Sequence, residues 1–156
     1  MIPRPLIRLA VTAFQALRRA VWFVTRPKVS GVHAVPLTPE GRVVLVRLTY
    51  APGWRLPGGG RKKGEAALAG LLRELREEIG LDSHGAVEPI AEIDQQVDYR
   101  RDHSSLFLVR DVEYHPRQTL EIEQVGEFDP DDLPAGTTDW TRRHIAALGL
   151  GRGGEA

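Results

Sequence analysis

The sequence predicts an α/β fold, an α/β/α sandwich around a mixed sheet, preceded by an extra amphipathic helix at the amino end. Three observations carry this expectation. In residues 42–48, Val43, Leu45 and Arg47 alternate against Val44, Val46 and Leu48, so both faces of a strand are largely apolar, as in a sheet covered by helices on both sides. In residues 65–79, Leu68, Leu71, Leu72, Leu75 and Ile79 recur at three-and-four spacing, which buries one stripe of a helix. After Thr138-Asp139, a capping pair, Trp140, Ile145, Ala146 and Leu148 mark a closing helix for the opposite layer.

At 156 residues the chain is one domain by size, expected to divide into a helix at 1–28, a domain at 29–149 and a disordered tail at 150–156. Lys plus Arg equals Asp plus Glu at 21 each, so no global cationic field exists for nucleic acid, and no stable nucleic-acid complex is expected. Cysteine is absent, which excludes disulfides, thiolate metal sites and a cysteine nucleophile. The five histidines, His33, His84, His103, His115 and His144, show no ligand spacing.

The amino end is basic. Arg4, Arg8, Arg18, Arg19, Arg26 and Lys28 all precede the first acidic residue, Glu40. Ile7, Ala10, Phe14, Leu17, Val21 and Val24 step by three and four, giving an amphipathic helix that ends before Pro27. The short apolar run, interrupted by Gln15 and followed by Arg18-Arg19, fits neither a secretory signal nor a membrane span, and a cytoplasmic location is expected. Its apolar stripe fits packing on the domain or across a homodimer, or weak peripheral contact of residues 1–28 with an anionic membrane, helped by Trp22-Phe23.

Residues 31–37 and 42–48 are β-rich and flank Thr38-Pro39-Glu40-Gly41, a turn by its Pro and Gly, so a hairpin is expected. Arg47 points either to a substrate phosphate or to solvent, and the aromatics of residues 49–54 either stack on a base or cap the core.

Glu74, Glu77 and Glu78 stand at i, i+3 and i+4, so their carboxylates share a helix face, with Gly70 one turn earlier. Like charges so placed repel, by roughly 0.2–0.5 kcal/mol a pair in an isolated helix. Two compensations suit them. A hard divalent cation takes carboxylate oxygens and leaves room for substrate phosphates; alternatively the face is solvated, with Arg73 pairing Glu77.

Spacing separates the two. Residues 59–81 satisfy G-x5-E-x7-R-E-U-x-E-E-x-G-U in full, with Gly59, Glu65, Arg73, Glu74, Leu75, Glu77, Glu78, Gly80 and Leu81 in place. The stretch resembles the Nudix hydrolase family over its whole defining box, and the preceding WRLPGGG resembles the family's entry into it. The resemblance covers roughly residues 29–149 and leaves the amino helix outside. It implies a loop, helix, loop that binds Mg²⁺, or Mn²⁺ in its place, against a substrate diphosphate. Glu74, Glu77 and Glu78 would be catalytic and ligate metal, assisted by the Gly59 carbonyl, while Glu65 and Arg73 brace the loop. One departure is Arg61-Lys62-Lys63, which adds positive charge where an acidic residue is usual.

Beyond the box, residues 87–97 and 104–112 read as two long strands joined by a bend at 99–103, and residues 120–128 as a further strand carrying Glu121, Glu123 and Glu127. The family commonly uses a glutamate outside the box, and Glu121 or Glu123 are the candidates. The implied activity is metal-dependent hydrolysis of the diphosphate linkage of a nucleoside diphosphate joined to another moiety. The alternatives are cleansing of oxidised nucleoside triphosphates and a ligand-sensing module without catalysis.

Overall fold

The structure is a computed structural model, and it describes residues 3–25, 28–97 and 99–150. Its elements run α1 (Arg4–Thr25), β1 (Lys28–Pro36), β2 (Val43–Leu48), β3 (Trp54–Arg55), β4 (Gly58–Gly60), α2 (Ala67–Glu78), β5 (Leu81–Ser83), β6 (Val87–Val97), β7 (Arg100–Val109), β8 (Glu113–Tyr114), β9 (Ile122–Phe128) and α3 (Asp139–Ala147). The expected tail, apart from Leu150, lies outside the described residues, as do the side chains of Trp22, Phe23 and Val24.

Two sheets form the middle layer. One runs β4-β1-β7-β6 and is mixed, because β1 pairs β7 in parallel and β4 antiparallel; the other is antiparallel, β3-β2-β9. A short β5-β8 ribbon stands apart. Residues of β2 show why helices lie on both sides. Val44 and Val46 enter one core with Leu71, Leu75 and Ile79 of the box helix, whereas Val43 and Leu45 enter a second core with Ile145 of α3. The β1 strand divides likewise, with Val32 and Ala34 in the first core and Val35 in the second. A strand with two buried faces needs apolar residues at every position, and 43–46 supply four in a row.

The hairpin expected across Thr38-Pro39-Glu40-Gly41 does not form. The turn is present, with Gly41 N–H donating to Thr38 O, but strand pairing across it is confined to the bridge Leu37–Val43 just beyond β1, and β1 and β2 then enter different sheets. Each finds a longer partner elsewhere, β1 pairing β7 along all nine of its own residues and β2 pairing β9. The bend at 99–103 is also shorter than expected. Tyr99 turns with φ at +68°, and β7 resumes at Arg100, so Asp102 and His103 lie in the strand and pair Gln95 and Asp94. At its other end β7 stops at Val109, where the expected strand continued to residue 112, and β9 starts at Ile122, leaving Glu121 just ahead of the strand.

Both domain helices follow their sequence signals with local exceptions. The α2 helix starts at Ala67 and not at Glu65, because Glu65 is engaged in the preceding loop, and Leu68 is half-exposed and outside the buried stripe. Gly80 follows the helix with φ at +71°, where a Cβ would fall 1.9 Å from His115 O. Thr138 caps α3 by accepting from Thr141 N–H, and Ile145 is buried, although Ala146 faces solvent.

The amino helix turns the opposite way from the stripe's simplest reading. Ile7, Val11, Gln15 and Arg18 are half-buried toward the domain, whereas Phe14, Leu17 and Val21 are more than half exposed. Apart from Ile7, the described large side chains of the stripe are therefore turned away from the domain.

Candidate active site

The Gly58–Gly60 strand runs along the end of α2. Gly58 N–H donates to Glu78 Oε2 at 2.8 Å. Gly59 lies so close to Glu74 that a Cβ on it would sit 2.7 Å from that carboxylate, which requires glycine here. Pairing of β4 with β1 (Gly31–Gly60, Val32–Gly59, His33–Gly58) holds this wall in place.

Arg73 is the hub of the box. Its guanidinium donates to both Glu65 oxygens at 2.9 Å each, to Gly60 O at 2.9 Å and to Glu74 Oε1 at 2.8 Å, with Glu77 Oε2 farther off at 3.4 Å. Such a planar fork binds a carboxylate bidentately, as a lysine would not. Glu65 also accepts from Lys62 N–H, and with Arg73 this holds its carboxyl at about pKa 2. Gly70 leaves the space that Glu65 and Arg61 fill. Arg61 donates through Nε and Nη2 to Glu65 O, so that member of the basic run braces the loop.

The carboxylates differ in what offsets their charge. Burial raises the Glu74 pKa, against the lowering by Arg73. For Glu78, burial pushes the pKa to about 8, and the charges of Glu74, Glu121 and Glu77 add to the rise against the Gly58 hydrogen bond. Although the Glu78 residue keeps some accessible surface, its carboxylate is hemmed in enough for burial to dominate. Glu77 is 58% exposed and, among the described residues, reaches only Arg73. The Arg73–Glu77 pairing of a solvated face is thus present but long, and it does not extend to Glu78.

Glu121 and Glu123 separate clearly. The chain ahead of β9 is fastened to the end of β2, Thr49 N–H donating to Glu121 O and Thr49 Oγ1 to Leu120 O. This sets Glu121 within electrostatic reach of Glu74, Glu78 and Tyr50. Glu123 instead forms ion pairs with Arg8 of α1 and with Arg47. Arg47 is held there and lies over the Trp54 ring at 5.6 Å. Trp54 caps the core, edge-on to Phe128 at 4.8 Å.

Arg55 is a residue that sequence reasoning missed. It is half-buried, donates to Pro52 O, and lies within electrostatic reach of Glu78 and Tyr50, and its Nε has no hydrogen-bond partner among the described residues. Its signal was available: Trp54 points into the core, so strand alternation turns Arg55 to the other face.

Hard carboxylate oxygens beside a glycine backbone suit a divalent cation chemically, and the raised Glu74 and Glu78 pKa values show anionic groups lacking full compensation. Among the described residues, however, no three acidic or imidazole groups already converge on one point. Glu74 and Glu77 turn to Arg73, and Glu78 to Gly58. Seating an ion would draw them from these partners.

An α/β/α sandwich with an acidic loop-helix-loop set against a glycine strand defines the class of protein. Residues 27–148 match the NUDIX domain model, and the chain belongs to that family. It is similar to the crystal structure of a MutT NUDIX hydrolase from Burkholderia pseudomallei, at 26% identity and a TM-score of 0.65, covering 77% of this chain and 96% of that one. A structure of UDP-X diphosphatase shares the fold at 22% identity and a TM-score of 0.63, covering 79% of this chain and 60% of that one. Among curated proteins, the RNA pyrophosphohydrolase of a Nitratiruptor species is 43% identical over 56 residues, 36% of this chain and 34% of the relative. The chain thus spans about a third of the length of the curated relatives it matches.

Proposed function

We propose that the protein hydrolyses a phosphoric anhydride bond in a nucleotide-type substrate with the help of Mg²⁺ or Mn²⁺. The preferred substrate is a nucleoside diphosphate joined to another group. The observation that carries this reading is Glu78, an enclosed carboxylate with its pKa near 8 and Glu74 and Glu121 as neighbours. A bound divalent ion supplies neutralisation of charge at the phosphate oxygens.

The chain's own groups account for the rest. Glu74, Glu77 and Glu78, with Glu121, offer the oxygens that would hold the ion, and the Gly59 carbonyl belongs to the same wall. Glu78 exchanges a proton near neutral pH, as suits a group that takes one from the attacking water. Arg73 fixes the Glu74 carboxylate and ties it to the Glu65 loop. Arg55 brings positive charge for a diphosphate, and the half-exposed Tyr50 ring beside it offers a face for a base.

A second reading is hydrolysis at the 5′ end of an RNA. It is favoured by the curated relatives named RNA pyrophosphohydrolase and by the exposed Lys62 and Lys63 beside the glycine strand. A panel of ADP-ribose, NDP-sugars, CDP-alcohols, dinucleoside polyphosphates, 8-oxo-dGTP and 5′-triphosphate RNA, each with Mg²⁺ or Mn²⁺, separates the readings. Glu78→Gln is expected to lower turnover on the preferred substrate by about 100-fold or more while the circular dichroism spectrum is unchanged. Near wild-type hydrolysis by that variant would overturn the assignment. Nucleotide binding without phosphorylated product in any arm would identify a sensing module instead.

A further inference from the structure

We propose that the outward face of α1 docks the protein on an anionic lipid surface. On the helix wheel, Leu6, Leu9, Ala13, Leu17, Ala20 and Val21 fall on one continuous arc that no charged or polar side chain interrupts. Every one of them is exposed, Leu9 and Leu17 by 66% and 65%. An apolar arc of this width is normally covered.

The domain does not cover it, because the domain holds the other side. Arg8 pairs with Glu123, and Arg18 lies within electrostatic reach of Tyr50. The polar side of α1 therefore faces protein while the apolar side faces away. A helix lying in a leaflet interface has this disposition, with its apolar face among the acyl chains and its cargo on the polar side.

Charge selects the occupant. Residues 1–39 hold six Arg and Lys residues and no acidic one, and the exposed Arg19 stands on the flank between the apolar arc and the domain-facing side. A second copy would bring a segment of the same net positive charge. An anionic leaflet brings the opposite charge, and each basic residue near it adds about 1 kcal/mol of attraction. No helix among the described residues is long and apolar enough to cross a membrane, so the contact lies on the surface. Docking would also hold Tyr50 and Glu121 near the leaflet, since α1 borders the segments 49–53 and 118–123 that carry them.

The test is sedimentation of the full chain with vesicles of phosphatidylcholine containing about one quarter phosphatidylglycerol, alongside vesicles of phosphatidylcholine alone. The expected result is pelleting with the anionic vesicles, weakened by omitting the anionic lipid or by about 0.5 M salt. The double substitution Leu9→Ser with Leu17→Ser should lower partitioning about tenfold or more. Both positions face solvent, so its thermal unfolding should match the parent's. Absence of pelleting with anionic vesicles, or pelleting unchanged by the double substitution, would overturn the proposal. So would a dimer in sedimentation velocity that the double substitution dissolves while vesicles bind neither form, since the covering partner would then be a second copy. Hydrolytic activity enters none of these readouts, so they stand apart from the proposed reaction.

Discussion

Glu78 carries the least compensated charge in the cluster, and the sign of its pKa shift fixes how the protein responds to pH. Its folded pKa of about 8 lies above the ordinary 4.5, so between those values the folded chain holds a proton that the unfolded chain has lost. Stability of the cation-free protein should therefore fall as pH rises from about 4.5 to about 8 and then level off, each pH unit of displacement being about 1.4 kcal/mol. Thermal unfolding in chelator measures this: the midpoint declines across that window in the parent and declines much less in Glu78→Gln. Glu65 behaves oppositely, because Arg73 stabilises its charged form; that contribution is present above pH 4.5 and is lost as pH falls toward 2. Gly59→Ala would drive a methyl group into the Glu74 carboxylate and should lower turnover about tenfold or more, with the secondary structure kept. The spacing in the sequence singled out Glu74, Glu77 and Glu78 as candidates. It left Glu121 and Glu123 level, because both flank the same strand start; only the Thr49 clasp and the Arg8 and Arg47 pairs tell them apart.

At the level of elements, α2 is where sequence and packing agree most closely. Leu71 and Leu75 are fully buried against β1 and β2, and Leu75→Ala should cost about 2–5 kcal/mol in urea unfolding. Leu68 shares their periodicity but is 47% exposed, and Leu68→Ala should stay within about 0.5 kcal/mol. That contrast was not legible, since a three-and-four repeat marks the whole apolar face without saying where the underlying sheet ends. The missing hairpin has a similar cause. A turn sequence fixes a local reversal, as it does at Thr38 to Gly41, whereas strand pairing is settled by the longest compatible partner, which β1 finds in β7 some seventy residues away.

For the whole molecule, a ligand that binds only the folded chain stabilises it by mass action. Mg²⁺ or Mn²⁺ at about 100 times its dissociation constant should add about 2.7 kcal/mol, and chelator should remove it. Calorimetry at rising pH should show tighter cation binding as Glu78 loses its proton, and an affinity that does not change with pH would contradict its place in the site. The amino-acid sequence by itself determined the two-sided sandwich, through strands apolar on both faces, and located the acidic cluster, through a motif contained in one loop and one helix. These are local patterns of period and spacing, and short-range sterics enforce them. Tertiary structure alone decided the split into two sheets, which of Glu121 and Glu123 lies within electrostatic reach of Glu74 and Glu78, and the outward turn of α1. Each of these depends on which distant segments meet, and the free energy of such meetings resides in the packed whole, not in any stretch of chain.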